Sequence, residues 1–290
     1  MNYNYTIIIP HKNTPKLLER LLNSIPDTPK IQVVIIDDDS ENINFNKFPG
    51  LDREHTECYF SKFGNGAGAA RNIGLKHAKG KWILFADSDD FFHTNFLNNI
   101  LKFNDTTFDL VYFGMDSVYS NTLLPAKRAS NVVSLLERAS LGEDEAKNTI
   151  RYKFLYPSCK LIKRELIEKN KIKFDEVPAS NDTMFGVKVA SLAKEISYNA
   201  DVIYCLTHRE NSLVTSYMYV NLKSRLLVSF RLYTYLENIN KEEYAQSSFN
   251  HLLQIRHVSY ILLIRDFFLI VKQYPLKIIV KMILNRFNEK

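Results

Sequence analysis

Short apolar runs alternate with segments of helical periodicity through the first 115 residues. Leucine spacing predicts a helix from Pro15 with Thr14 as its N-cap, small residues predict another over 67–78, and Thr94 is expected to cap a third. Pro10 is expected to end the first strand, because proline cannot donate to a β-ladder. The apolar runs predict five buried strands, at residues 5–9, 32–36, 57–60, 82–86 and 108–113. This alternation predicts an α/β fold with a mostly parallel sheet flanked by helices.

The pattern is less regular after residue 115. Predicted elements there are helices at 132–139, 165–170 and 183–192 and a strand at 202–205. From Met218 onward the spacing of apolar residues is helical. We therefore expect a body over residues 1–216, with halves at about 1–115 and 116–216, and a helical C-terminal region over 217–290.

Composition excludes several classes of protein. The chain has 290 residues, of which 46% are hydrophobic and 24% charged, as in globular proteins rather than disordered ones. It contains no run of about 18 uncharged apolar residues, and its N-terminus lacks the basic start of a signal peptide. Three widely spaced cysteines, Cys58, Cys159 and Cys205, have no metal-ligand spacing. A reduced cytoplasmic compartment fits this usage best.

The net charge of +6 is concentrated at the C-terminal end. Residues 217–290 hold 11 Lys and Arg against 5 Asp and Glu, so the rest of the chain is neutral. A basic region indicates an anionic partner, either acidic lipid, phosphate or nucleic acid. No nucleic-acid-binding motif is found, so nucleic acid is not expected.

Two acidic clusters each follow a predicted strand. Because ligands bind at the carboxyl ends of strands in open α/β sheets, both clusters are expected in one cleft. In the second cluster, Asp87 and Asp89 offer the hard oxygen ligands that suit Mg²⁺ or Mn²⁺. Two simpler interpretations remain open: an acidic turn at a helix N-terminus for residues 87–90, and a self-capping polar loop for residues 37–40.

A small-residue segment, 63–74, lies between the acidic clusters. Small residues let a backbone approach a ligand, and a helix N-terminus favours phosphate. The segment lacks the Gly-Lys-Ser/Thr ending of a P-loop. It also does not open the first βα turn, as a dinucleotide fingerprint would.

Four segments together indicate a protein family more specifically than any one of them does alone. In order along the chain they are IIIPHKN at 7–13, VIIDDDS at 34–40, GAARNIGL at 68–75 and ILFADSDD at 83–90. This series resembles the family 2 glycosyltransferases of the bacterial surface-polysaccharide type, which are inverting enzymes with the GT-A fold. The resemblance is strong over about residues 4–115 and weaker to about residue 216.

The resemblance implies a nucleotide-sugar donor, commonly linked to UDP, and a Mn²⁺ or Mg²⁺ cofactor held by Asp89. Asp38 would contact the nucleobase, and Asp39 stands where the family usually has glycine. The residues that the resemblance assigns to the donor are Pro10, His11, Asn13, Asp38, Arg71, Asp87, Ser88, His208 and Arg209.

The resemblance also suggests a catalytic base. The family usually has a Glu-Asp pair before a helix, and Asn181-Asp182 is the matching position, so Asp182 is the predicted base. A plain helix N-cap is the alternative for Asp182, and a solvated loop is the alternative for His208 and Arg209. Lys160 matches a family segment whose role varies.

The implied activity is transfer of a sugar to a hydroxyl of a glycan or lipid-linked glycan, by metal-assisted single displacement. A non-catalytic glycosyltransferase-like scaffold in a membrane polysaccharide assembly complex is the alternative. A sugar nucleotidyltransferase is disfavoured, because residues 10–13 run straight into a helix instead of a basic glycine-rich loop. Glycoside hydrolysis by two carboxylates would not explain the nucleotide-type strand edge.

The end of the chain after Pro275 has the pattern of a basic amphipathic helix. Lys277, Lys281 and Arg286 are spaced among apolar residues, which is typical of helices that lie on an anionic membrane surface. Peripheral attachment to the inner face of the cell membrane is the hypothesis. Packing of this helix on the body is the equally open alternative.

Overall fold

The computed structural model of the chain describes residues 3–41, 43–129, 131–209, 218–245 and 249–281. This part of the chain contains one eight-stranded sheet with helices packed around it. The strands are β1 Tyr5–His11, β2 Ile31–Asp38, β3 Thr56–Ser61, β4 Trp82–Phe85, β5 Phe91–Phe92, β6 Leu110–Tyr119, β7 Lys160–Lys163 and β8 Ile196–His208. The helices are α1 Pro15–Asn23, α2 Gly66–His77, α3 Phe96–Leu101, α4 Val132–Ser140, α5 Asp144–Lys153, α6 Arg164–Lys169, α7 Thr183–Leu192, α8 Tyr219–Asn238, α9 Phe249–Ile255 and α10 Tyr260–Gln273.

The strand order across the sheet is β3-β2-β1-β4-β7-β6-β8-β5. The first four strands in this order are mutually parallel, and β6 is parallel to β8. β7 runs antiparallel to both of its neighbours, and β5 runs antiparallel to β8. The predicted α/β class with a mostly parallel sheet is confirmed, because six strands run in one direction and only β5 and β7 of the described sheet run against them.

β1 continues past Pro10, so the expectation that Pro10 ends the strand is wrong. The carbonyl of Ile8 points toward β4, where it accepts a hydrogen bond from the Ala86 N–H at 3.1 Å. Pro10 lies two residues further and faces the same side. The ladder with β4 therefore stops after the pair Ile8–Phe85, where Pro10 has no N–H to donate. β1 nevertheless continues to His11, because its other edge stays paired with β2 through Pro10–Ile36 and His11–Asp37.

Two other predicted elements differ from the structure, and one helix was not predicted. β8 runs from Ile196 to His208, well beyond the predicted 202–205, because it pairs in parallel along most of β6. Helix α3 has Asn95 as its N-cap, one residue after the expected Thr94. Helix α5 was not predicted, because its many charged residues conceal a narrow apolar stripe.

The buried apolar residues form two clusters. The first surrounds the sheet and includes the fully buried Trp82 of β4. The second joins α5 and α7 to the C-terminal helices, where Met184 of α7 packs with residues such as Leu226 of α8. Ile278 and Ile279, which follow α10, are buried in the same cluster. The predicted boundary between residues 216 and 217 lies outside the described residues.

None of the described helices combines the length and the apolar composition that crossing a membrane requires.

Helix α2 packs very closely on the sheet at Gly74. A Cβ atom built on Gly74 would lie 2.3 Å from Cγ2 of Ile8 and 2.9 Å from Cδ1 of Ile36. Both neighbours are fully buried strand residues, so neither has room to move aside. Glycine at this position sets the distance between the helix and the ends of β1 and β2.

We expect Gly74→Ala to destabilise the protein by about 1–3 kcal/mol, the usual range for overpacking a tight core. The free energy of unfolding from urea titration measures this. Lys76→Ala is the matched control on the exposed side of α2 and should change stability by about 0.5 kcal/mol or less. Equal effects of the two substitutions would contradict the close approach.

Candidate functional site

The predicted site residues follow the ends of three neighbouring parallel strands. His11 closes β1, Asp38 closes β2, and Asp87 comes two residues after β4. The carboxyl ends of such strands form a crevice at one edge of the sheet. Both acidic motifs lie at this edge, as expected from their places in the sequence.

A hydrogen-bond network orders the loops after β1 and β2. The ring Nδ1 of His11 lies 2.7 Å from Oδ1 of Asp37, and its Nε2 accepts a hydrogen bond from the Thr14 N–H at 3.2 Å. Because Nε2 accepts, the proton is on Nδ1, which donates to Asp37. The Ser40 hydroxyl donates to the same carboxylate at 2.6 Å and accepts from the Asn13 N–H at 2.7 Å. The buried His11 and the exposed Asn13 therefore both shape this edge through hydrogen bonds to the end of β2 and the loop after it.

The carboxylate of Asp38 reaches the start of helix α2. Its Oδ2 accepts a hydrogen bond from the Gly66 N–H at 2.8 Å, and the residue is buried. The next residue, Asp39, has φ of +59°. This left-handed conformation explains why glycine is usual there, and Asp is among the residues that tolerate it best. The substitution of glycine by Asp39 therefore leaves the loop intact.

Arg71 of α2 connects two distant segments. Its Nη2 donates to Oδ1 of Asp87 at 2.5 Å, and its Nη1 donates to Oδ1 of Asn181 at 2.9 Å. The guanidinium lies over the ring of Phe174, 5.3 Å from the ring centroid. Arg71 is only 5% exposed, whereas the side chain of its partner Asp87 is 42% exposed and so faces the crevice. The acidic loop after β4 is thereby tied to the segment that carries Asp182.

Gly68 makes this connection sterically possible. A Cβ atom at Gly68 would lie 2.1 Å from the carbonyl oxygen of Asp175. The first turn of α2 therefore rests directly against the backbone of the 174–182 segment. This contact explains the small residue at position 68 as a packing requirement.

The side chain of Asp89 forms an ion pair with Arg209, with Oδ2 2.7 Å from Nη2. Its carbonyl oxygen accepts hydrogen bonds from the Arg20 guanidinium and from the Thr207 hydroxyl. Burial and the nearby charge of Asp87 raise the pKa of Asp89, while Arg209 opposes the shift. Asp87 and Asp89 thus repel each other, and a bound cation would relieve that repulsion.

Asp90 is the buried anchor of the acidic loop. Its carboxylate accepts hydrogen bonds from the Tyr204 hydroxyl at 2.9 Å and from the Thr207 N–H at 2.7 Å. The same Tyr204 oxygen accepts from the N–H of Asp87. Burial, followed by the charges of Asp87 and Asp89, raises the pKa of Asp90 well above its usual range. Strand β8 therefore holds the loop that presents the two metal-ligand candidates.

Asp182 occupies the N-cap position of α7, but its side chain makes no capping hydrogen bond. Burial raises the pKa of Asp182, and the positive charges of Arg71 and Lys160 oppose that shift. The ammonium of Lys160 is itself buried and donates to the carbonyl of Phe154 at 2.7 Å. Burial lowers the pKa of Lys160 to about 7. The carboxylate of Asp182 is thus free of backbone capping and sits among charged groups.

Ser88 and His208, which are also predicted to bind the donor, have other neighbours in the structure. Ser88 lies beside the start of α1, with its hydroxyl 3.2 Å from that of Thr14. His208 packs its ring against Tyr119, and no contact among the described residues joins it to the acidic loop. Arg209, by contrast, reaches Asp89. The loop that continues from them, residues 210–217, lies outside the described residues.

Sequence reasoning did not single out three residues that organise the site. Asp37 and Asp90 stand inside the recognised acidic motifs, where three acids within four residues after a strand could have marked them. Tyr204 gave no sequence signal, because its role depends on β8 lying beside the acidic loop, 114 residues away along the chain.

The family model described as Glycosyl transferase family 2 matches residues 6–170, which is more than half of the chain. Among curated proteins, the chain is 27% identical over 231 residues to the poly(ribitol-phosphate) β-N-acetylglucosaminyltransferase TarS of Staphylococcus aureus. That match covers 73% of this chain and 37% of TarS. TarP, an enzyme of the same description from S. aureus, is 26% identical over 210 residues, covering 69% of this chain and 61% of TarP. The chain therefore matches only part of each relative.

Among solved structures, S. aureus TarS 1–349 in complex with UDP-GlcNAc superposes with a TM-score of 0.68. The superposition covers 86% of this chain and 72% of that one, at 24% sequence identity. At this identity the likeness establishes the fold, which is the GT-A arrangement expected from the sequence.

We expect Asp90→Ala to destabilise the protein by about 2–4 kcal/mol, because two buried donors lose their acceptor and each such loss costs about 1–3 kcal/mol. Urea unfolding measures the change. Asp52→Ala is the control, since Asp52 is exposed and should contribute about 0.5 kcal/mol or less. A loss for Asp90→Ala no larger than for the control would contradict the anchoring role.

Proposed function

This chain belongs to glycosyl transferase family 2, and from that membership we propose that it transfers a sugar from a UDP-linked donor to a hydroxyl of a glycan or lipid-linked glycan. The observation that carries the proposal is the Arg71 bridge, which places Asp87 and the Asn181-Asp182 segment around one crevice. A donor site and a base must lie next to each other for direct transfer.

The donor side of the proposed site is the edge formed by β1, β2 and β4. Asp38 keeps one carboxylate oxygen outside its bond to Gly66, and we assign that oxygen to the nucleobase imide. Pro10, His11 and Asn13 form the wall beside it. Arg71 and Ser88 support this side indirectly. Arg71 holds Asp87 by a hydrogen bond, and Ser88 holds the start of α1 through Thr14.

Asp87 and Asp89 are the residues that would hold Mn²⁺ or Mg²⁺. They fit such an ion, because they are two hard oxygen donors close enough to disfavour each other's charge. Such cations usually bind through one or two carboxylates together with substrate phosphates and water. When bound, the ion would stabilise the negative charge of the departing diphosphate. Arg209, now paired with Asp89, is placed to contribute positive charge to the same diphosphate.

Asp182 is the proposed general base. Its carboxylate accepts the proton of the acceptor hydroxyl while that oxygen forms a bond to C1 of the sugar. The bond from C1 to the diphosphate oxygen breaks in the same step, with its electron pair leaving on UDP. Attack from the face opposite the leaving group inverts the anomeric centre. A raised pKa suits this role, because it brings the base closer to neutrality, where proton transfer is most effective.

The comparisons support an N-acetylhexosamine or hexose as the transferred sugar. TarS and TarP are described as N-acetylglucosaminyltransferases, and TarS has been solved with UDP-GlcNAc. The acceptor in their names is poly(ribitol-phosphate), which makes a polyol-phosphate or similar surface polymer a candidate acceptor for this chain.

The test of the proposal is release of UDP from UDP-GlcNAc and UDP-Glc by the full chain with Mn²⁺, with and without a poly(ribitol-phosphate) acceptor. We expect metal-dependent release that Asp89→Ala abolishes. A non-catalytic scaffold would bind UDP without turnover in every acceptor tested. Unchanged turnover of Asp89→Ala would contradict the assignment of the metal ligand.

We expect Asp182→Asn to lower the turnover number by roughly 10²–10⁴, the usual scale for loss of a general base. UDP-sugar affinity should stay within a few-fold, because the amide keeps the shape of the side chain. Steady-state kinetics and titration calorimetry measure the two quantities. If affinity collapses while turnover at saturation persists, Asp182 binds the donor instead.

Lys160→Met should move the acidic limb of the pH–rate profile to higher pH. The base acts only when ionised, so rate is lost as pH falls through its pKa. The Lys160 ammonium opposes the burial that raises the pKa of Asp182, and removing it lets that pKa rise further. Lys163→Met on the same strand is the control and should leave the profile unchanged. A limb that stays fixed or moves to lower pH contradicts the coupling.

The structure changes which residues of the C-terminal region are candidates for the proposed membrane contact. Lys281 forms ion pairs with Glu237 and Glu242, and Ile278 and Ile279 are buried, so this segment packs on the helical region. Arg286 lies outside the described residues. The exposed apolar surface is instead on α10 and just after it, where it comprises Tyr260, Ile261, Ile264, Phe267, Phe268, Val271, Leu276 and Val280. With the exposed Lys272 and Lys277 beside it, we propose this face as the contact with an anionic membrane.

We expect the double substitution Ile261→Ser and Phe268→Ser to reduce binding to phosphatidylglycerol vesicles by at least about tenfold, since each buried apolar side chain contributes about 1.5–3 kcal/mol. Vesicle sedimentation measures the bound fraction. Leu141→Ser is the matched control, because Leu141 is also highly exposed but lies at the end of α4. Undiminished binding by the double variant would contradict this surface.

A further inference from the structure

Three side chains of different chemistry meet on the β6-β8-β5 side of the sheet. They are His93, Asp116 and Cys205, and one ligand atom from each lies within 4.8 Å of the other two. Nε2 of His93 is 2.9 Å from Oδ1 of Asp116. They form a group separate from Asp87 and Asp89, and nothing in the proposed transfer reaction uses them.

The backbone fixes this grouping through three strands. Asp116 of β6 and Phe91 of β5 are both register partners of Cys205, which lies in β8 between them. The N–H of His93, two residues after Phe91, donates to the carbonyl of Ile203 in β8 at 3.0 Å. Paired strands hold Asp116 and Cys205, and His93 follows β5 directly with its N–H bonded to β8, so the sheet positions all three residues.

We propose that His93, Asp116 and Cys205 form a zinc site with water as the fourth ligand. Imidazole, carboxylate and thiolate are the ligands that Zn²⁺ takes in tetrahedral sites. Tetrahedral zinc with bond lengths of about 2.0–2.3 Å separates its ligand atoms by about 3.3–3.8 Å, so only small side-chain movements are needed. A thiolate ligand also distinguishes this site from the all-oxygen site proposed for Mg²⁺ or Mn²⁺.

The charges of the site balance when zinc is bound. Cys205 would bind as the thiolate, so its thiol loses H⁺ to solvent as the sulfur–zinc bond forms. With Nε2 of His93 bound to the ion, the ring proton is carried on Nδ1. One dication, one thiolate and one carboxylate then sum to a net charge of zero at the site.

The site is accessible to solvent, and it lies next to the acidic loop in the sheet. The side chains of His93 and Asp116 are 33% and 49% exposed, which gives the ion an entry path, while Cys205 is buried. His93 follows the Asp87–Asp90 loop, and Thr207, two residues after Cys205, holds that loop in place. Zinc would fasten β5 to β6 and β8 directly behind the acidic loop. The site stands independently of the proposed glycosyl transfer.

The test is titration of Co²⁺ into the chelator-treated full chain, followed by absorbance. We expect a near-ultraviolet thiolate-to-cobalt charge-transfer band at a stoichiometry of one, which Zn²⁺ removes by displacement. Cys205→Ser should abolish the band, and Cys58→Ser, a half-buried cysteine on β3, should keep it. Asp89→Ala should also keep it, which separates this site from the donor site.

Asp116→Asn and His93→Gln provide variants at partly exposed positions that should fold normally. Each should weaken Co²⁺ affinity at least tenfold, while Asp52→Asn should leave it unchanged. Absence of the band in the unmodified chain at saturating Co²⁺, or a band that survives Cys205→Ser, would overturn the proposal.

Discussion

The arrangement of the site depends on one buried guanidinium. Arg71 binds Asp87 on one side and Asn181 on the other, with the ring of Phe174 beneath it. Arginine suits this position because its planar donors point in fixed directions and it stays charged when buried. Without that charge, the repulsion between the carboxylates of Asp87 and Asp182 would be less compensated.

The acidic loop, residues 87–90, also depends on compensation of its negative charges. Three carboxylates occupy four consecutive positions, and each has its own compensation: Arg71 for Asp87, Arg209 for Asp89, and two hydrogen-bond donors from β8 for Asp90. The loop is therefore held from both sides of the crevice. Such support keeps ligands for a cation in place before the cation arrives, which is how binding sites reduce the cost of ordering.

Much of this was predictable from local sequence. The alternation of apolar runs and helical segments identified the α/β class, and strand ends followed by acids located the crevice. The parts that could not be predicted are long-range. Arg71 and Asn181 are 110 residues apart, and the meeting of His93 with Cys205 depends on the antiparallel pairing of β5 with β8. Sequence periodicity says nothing about which strand lies beside which.

The C-terminal helices illustrate a second limit. Their spacing correctly indicated helices, but an apolar residue on an amphipathic helix can face either the protein or a membrane. Ile278 and Ile279 face the protein, whereas Ile261 and Phe268 are exposed. The packing of the C-terminal helices on one another and on α7 decides between these outcomes, and that packing is a property of the whole fold.

The most direct test of the account is whether Asp87 and Asn181, which are linked through Arg71, are energetically coupled. The measurement is the free energy of unfolding for Asp87→Asn, Asn181→Ala and their combination, made once with Arg71 intact and once in the Arg71→Met background. With Arg71 intact, we expect the two substitutions to deviate from additivity by more than about 0.5 kcal/mol, and in the Arg71→Met background to add within about 0.3–0.5 kcal/mol. Additive effects in the presence of Arg71 would contradict the claim that this one side chain joins the donor side of the site to the segment bearing the base.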